Sequence, residues 1–141
     1  MSYLMQSTGL RFMADVFAGD PRRINGMYVE YGDNVTVGKR DREYYRTLEA
    51  VKGSGYVRVP VTHGYVDDEG IIHFDALITK SDVPKGAGKH IAQCVTLAYL
   101  DKDSPENDVL VCTMELNTKV KLRTDAMTTI HTSMRFGGNH E

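Results

Sequence analysis

The chain has 141 residues, with 19 acidic and 17 basic side chains, a net charge of −2, two cysteines and no tryptophan. That length fits one domain with a core of its own, and a charge so near neutral gives no electrostatic case for nucleic acid. No apolar run approaches the ~20 residues of a membrane helix, and the start lacks the basic region and apolar core of a signal peptide, so synthesis in a cytoplasm is expected.

Residues 1–9 read as a loosely held arm. Leu10, Met13, Ala14 and Phe17 have helical spacing, while Leu10, Phe12, Ala14 and Val16 alternate as a strand does; both assignments stay open. Gly19-Asp20-Pro21 breaks the chain, and Met27–Tyr31 is a short strand. The basic cluster Lys39-Arg40-Asp41-Arg42 is interrupted by an acid and reads as a solvated loop. Tyr44, Tyr45, Leu48 and Val51 have the spacing of an amphipathic helix over 41–51, with Asp41 as N-cap and Gly53 near its end. A strand is the competing assignment.

From Tyr56 to Thr79 two alternating runs flank Asp67-Asp68-Glu69-Gly70, the signature of a long β-hairpin. Pairing Val66 with Ile71 puts Val57, Val59, Val61, His63 and Tyr65 on one face together with Ile72, Phe74, Ala76 and Ile78. Arg58, Thr62, His73, Asp75 and Thr79 then share the other face. Pro60 inside the run predicts an edge or a bulge. A turn-rich loop follows over 81–89, then a strand over Ile91–Leu100 and a polar loop over Asp101–Asn107. Val109–Leu116 is the next strand, Asn117-Thr118 a tight turn, and Val120 and Leu122 alternate with Lys119, Lys121 and Arg123. A last strand runs from Thr128 to Phe136, before a second arm over 137–141. The expected fold is mainly β: one antiparallel, jelly-roll-like β-sandwich domain over 1–141, its second half a meander, with at most one or two short helices.

No catalytic motif stands out. Lys85–His90 lacks the spacing of a phosphate loop and precedes no predicted helix. Asp101, Asp103 and Asn107 offer oxygens but not the EF-hand pattern, so a solvated loop is expected. The predicted register sets His63 and His73 on opposite faces, where they do not share a metal; His131 lies on a later strand and His140 in the tail. Cys94 and Cys112 fall in predicted strands and are expected as buried thiols, neither a disulfide nor a zinc site. Cys94 with a remote histidine and an acid is the candidate nucleophile, since triads are read by geometry rather than spacing. Tyr28, Tyr31, Tyr44, Tyr45, Tyr56, Tyr65 and Tyr99 are expected mainly as core or interface rings. The expectation is thus no catalytic, cofactor-binding or metal-binding residues.

Three segments, Arg22–Tyr31, Arg42–Tyr45 with Gly55–Pro60, and Asp108–Phe136, together resemble small virion proteins of tailed bacteriophages. The resemblance implies a non-enzymatic β-sandwich that assembles with copies of itself and with neighbouring tail, neck, baseplate or fibre-attachment proteins. It implies a location in the virion after synthesis in the host cytoplasm, without nucleic acid or membrane as partner. A capsid-decoration role is the close alternative. From another class come a cupin-like metal-binding protein built on His63 with His131, and a carbohydrate-binding module built on exposed tyrosines.

Overall fold

Two-residue alternation dominates the chain, and strands dominate the structure. A computed structural model of the protein describes residues 3–84 and 90–135. Its elements are β1 (Tyr3–Met5), α1 (Ser7–Phe17), β2 (Gly26–Tyr31), α2 (Arg42–Ala50), β3 (Gly55–Val66), β4 (Ile72–Ile78), β5 (Ile91–Tyr99), β6 (Val109–Lys121) and β7 (Thr128–Met134). The protein is mainly β, as expected. The strands form one curled antiparallel sheet in the order β1-β6-β5-β2-β3-β4-β7, and a separate facing sheet is not present among the described residues.

The start of the chain departs from the expected arm. Tyr3, Leu4 and Met5 pair with Met114, Thr113 and Cys112 of β6, and residues 7–9 already belong to α1. The helix wins over the strand because Gly9, Phe12, Met13 and Val16 turn toward the sheet at helical spacing. This stripe lies one residue away from the expected one, so Leu10 and Phe17 are 59% and 87% exposed. The assignments at 136–141 and 85–89 lie outside the described residues.

The sheet is covered on both faces near its centre. On the inner face Met27 and Val29 of β2 meet Val57 and Val59 of β3, Val95 and Leu97 of β5, and Cys112 and Met114 of β6. On the outer face Tyr28, Cys94 and Ala98 pack against Tyr45 and Leu48 of α2 and Val35 of the preceding loop. All six residues of β2 are buried for that reason. The start of α2 matches its expected cap: the Asp41 carboxylate accepts the Tyr44 N–H at 2.8 Å. No helix among the described residues is long and apolar enough to cross a membrane.

Three expectations about pairing need correction. First, Val66 pairs with Ile72 rather than Ile71, and the register shifts between Val61 and His63. The extra residue at Thr62 is a bulge, which reverses the facing of everything beyond it. Val57, Val59 and Val61 face inward as expected, but His63 and Tyr65 emerge on the outer face with their partners Asp75 and His73. Pro60 sits beside this bulge, where pairing with β2 ends at Gly26 and pairing with β4 begins. Second, Asn117-Thr118 is no turn: β6 continues to Lys121, and the pair lies in a bulge of β6, where the stretch from Glu115 to Val120 faces only Cys94 to Ala92 of β5. Third, the second half is not a meander. After β6 the chain crosses to the far edge, where β7 pairs with β4.

Candidate functional site

The reversal at Thr62 gives the projecting half of the β3–β4 hairpin two different faces. The inner face is apolar. Gly64, Val66, Ile72 and Phe74 continue past the core and, with Phe12, Met13 and Val16 of α1 and Met134 of β7, line an open cleft of about 720 Å³. On its rim Val66 is 63% exposed. Gly64 lets the Phe74 ring come close: a Cβ there would stand 3.2 Å from that ring.

The outer face is aromatic and titratable. Rings of His63, Tyr65, His73 and His131 follow one another with centroid spacings of 4.9, 4.7 and 5.2 Å. Asp67 starts the hairpin turn. Its Oδ1 accepts N–H groups from Glu69 and Ile71 at 2.9 and 3.0 Å, while Oδ2 meets His73 Nε2 at 2.8 Å. The His73 contact and these backbone donors hold the Asp67 carboxyl below its ordinary value. On the neighbouring strand His131 Nδ1 meets Asp75 Oδ1 at 2.5 Å. The expectation that His63 and His73 lie on opposite faces is therefore overturned by the bulge. Of the two residues named for a metal-binding alternative, His131 comes into contact with His73 rather than with His63. Among the described residues no group of three or more His, Cys, Asp or Glu side chains has metal-holding geometry.

A buried polar network crosses the opposite end of the sheet. Glu30, fully buried, accepts from Arg40 Nε at 3.1 Å and Nη2 at 2.8 Å, from the Tyr45 hydroxyl at 2.5 Å and from the Thr96 hydroxyl at 2.8 Å. Arg40 Nη2 also donates to the Thr36 carbonyl at 2.6 Å. Gln6 joins the same network, donating to Thr113 Oγ1 and the Gly38 carbonyl at 3.0 Å and accepting the Arg40 N–H at 2.8 Å. Arg40 is thus no solvated loop residue; it is 5% exposed, with Tyr44 lying under its guanidinium at 3.9 Å. Burial and the Glu30 carboxylate push the Tyr45 phenol well above its ordinary value. This cluster is sealed and saturated, which suits holding layers together rather than binding a substrate.

A second carboxylate anchors the 101–108 loop. Asp108 accepts from Tyr28 OH at 2.5 Å, from Arg58 Nε and Nη2 at 2.6 and 2.8 Å, and from the Asp101 N–H at 2.7 Å. Burial raises its pKa, but the Arg58, Tyr28 and Asp101 donors outweigh that and leave it lowered. The folded-state value lies below the unfolded value of about 3.9. Its stabilisation is therefore full above that pH and is lost as pH falls through the folded value. Asp108→Asn is expected to cost about 1.5–3 kcal/mol at neutral pH and to flatten the acid limb of the stability curve, measured by chemical unfolding at neutral and acid pH.

The remaining candidates stay apart. Asp101 Oδ1 accepts the N–H groups of Asp103 and Ser104 at 2.8 and 3.1 Å, so the acidic loop spends its oxygen on its own turn. Cys94 and Cys112 are free and buried, belonging to the clusters on opposite faces of the sheet. Burial pushes both thiols up to about 11, contrary to what a nucleophile needs. Tyr28, Tyr31 and Tyr45 are buried; Tyr28 stacks on the partly buried Tyr56, and Tyr45 tilts against both, so these rings pack on one another rather than form an exposed aromatic platform. Lys85–Lys89 and His140 lie outside the described residues, while strand β5 begins directly after His90.

No family model, curated protein or solved structure matches this chain. Sequence reasoning missed Glu30, Arg40, His73 and Asp75 as partners in clusters. For Glu30 a signal existed: a lone carboxylate in an otherwise apolar strand needs a cation if both faces are covered.

Proposed function

We propose that the protein is a non-enzymatic building block of a tailed-phage virion, which joins copies of itself and packs against neighbouring tail, neck or fibre-attachment proteins. The virion context rests on the resemblance of the three segments named above. The assembling role rests on one observation: the apolar cleft between α1 and the projecting hairpin remains open, with Val66 standing exposed on its rim. Apolar surface gathered in one place is characteristic of surfaces that meet partners. Among the described residues, β1 and β7 each lack a neighbour on one side of the sheet. Such edges are covered in native assemblies. Because they are different edges, joining one to the other between copies is a heterologous contact, which gives a ring where the rotation closes and an open filament where it does not.

A persistent interface buries more than about 1,000 Å², which requires the cleft and not an edge alone. Sedimentation at micromolar concentration is expected to give a discrete oligomer. Val66→Asp is expected to weaken it about tenfold or more while far-UV dichroism stays unchanged. A wild-type chain that is monomeric at these concentrations and missing from purified particles, by mass spectrometry, overturns the proposal. A capsid-decoration role employs the same surfaces; position within the particle separates the two.

A further inference from the structure

Outside the apolar cleft, the outer face of the hairpin carries an arrangement that assembly does not require. His73 Nδ1 and His131 Nε2 lie 3.2 Å apart. The far nitrogen of each ring is already engaged, His73 Nε2 with Asp67 and His131 Nδ1 with Asp75. A neutral imidazole has one N–H and one lone pair. With each proton on the carboxylate side, the two inner nitrogens aim lone pairs at one another, and a cation between them turns that repulsion into attraction. Carboxylates hydrogen-bonded to the outer nitrogen are also what fix the tautomer and orientation of metal-binding histidines.

We propose that His73 and His131 bind a borderline divalent transition-metal cation, Zn²⁺ or Ni²⁺, through Nδ1 of the first ring and Nε2 of the second. Imidazole nitrogen selects such ions over magnesium and calcium. Two imidazoles on one tetrahedral zinc, at about 2.0 Å, have nitrogens about 3.3 Å and ring centres about 5.2 Å apart. The rings here have nitrogens 3.2 Å and centres 5.2 Å apart.

The rings are also held in place. Tyr65 lies nearly flat on His73, with centroids 4.7 Å apart at 12°. Asp75 is the direct cross-strand partner of His131, so the sheet register itself supplies that ring's carboxylate. His131 is half exposed, which leaves the remaining coordination positions to water. Two protein ligands make an open site of modest affinity, not a closed structural one.

Calorimetric titration of the full chain with zinc chloride tests this. One saturable ion per chain is expected in the micromolar range, with the imidazole ¹⁵N resonances of His73 Nδ1 and His131 Nε2 moving together. His73→Gln and His131→Gln are each expected to abolish that site, and His63→Gln to leave it unchanged. Asp75→Asn is expected to keep the site and weaken it about tenfold or more. Far-UV dichroism verifies that each variant is folded. A wild-type chain that takes up no ion overturns the proposal, as does uptake that survives His131→Gln; the rings then share a proton only.

Discussion

Arg40→Met is expected to destabilise the protein by about 3–5 kcal/mol, read as a lowered urea midpoint at unchanged slope. The size follows from what is left behind. Glu30 is fully buried, and the Arg40 side chain beside it is 1% exposed. Removing the guanidinium leaves a carboxylate with only the Tyr45 and Thr96 hydroxyls, in a place where water does not reach it. It also strips the Thr36 carbonyl of its donor. An unpaired buried charge costs far more than the net contribution of the intact pair, because both ions gave up hydration to be there. The double variant Glu30→Met with Arg40→Met is therefore expected to recover much of the loss. A double-mutant cycle separates the two contributions. A single-variant loss under about 1 kcal/mol, the scale of an exposed pair, would mean that the network does not pin the 32–41 loop and α2 to the sheet.

The hairpin from Tyr56 to Thr79 was legible because alternation is a local property: it shows in the residues themselves that one side of the strand is apolar. The bulge at Thr62 was not legible. A bulge adds one residue to one strand without changing the residue types around it, and only the partner strand reveals it. That single insertion moved His63 and Tyr65 to the face of His73, while the His73–His131 pair on which the metal proposal rests was hidden by the pairing of β7 with β4. The partner of β7 was hidden for a related reason. Thr128, Ile130, Thr132 and Met134 declare which side is buried, but alternation carries no information about which edge the strand joins. Arg40 was misread because a basic residue in a charged run is ordinarily solvated; its burial depends on Glu30, ten positions earlier and across a layer. The α2 helix, in contrast, announced itself through its Asp41 cap and the spacing of Tyr45 and Leu48, all within a few residues of one another.

Gly9 provides the sharpest contrast between local preference and packing. It occupies the first turn of α1, and in an isolated helix Gly→Ala is favourable by about 1 kcal/mol. In the protein the sign is expected to reverse. A Cβ at Gly9 would fall on the backbone of Val111, within 2.6 Å of its carbonyl carbon and Cα. Neither group can rotate away, since Val111 belongs to β6 and its carbonyl accepts the Gln6 N–H at 2.9 Å. The helix must then lift from the strand. Lifting it loosens Phe12, which is 2% exposed, and separates Gln6 from Thr113. Overpacking of this kind costs about 1–3 kcal/mol and occasionally more. Gly9→Ala belongs at the upper end, because backbone meets backbone and no flexible side chain yields. The same displacement shifts one wall of the apolar cleft, so weaker self-association is expected to accompany the lower unfolding midpoint. A Gly9→Ala chain as stable as the wild type, by urea unfolding, would show that α1 is not seated on β6 at Val111.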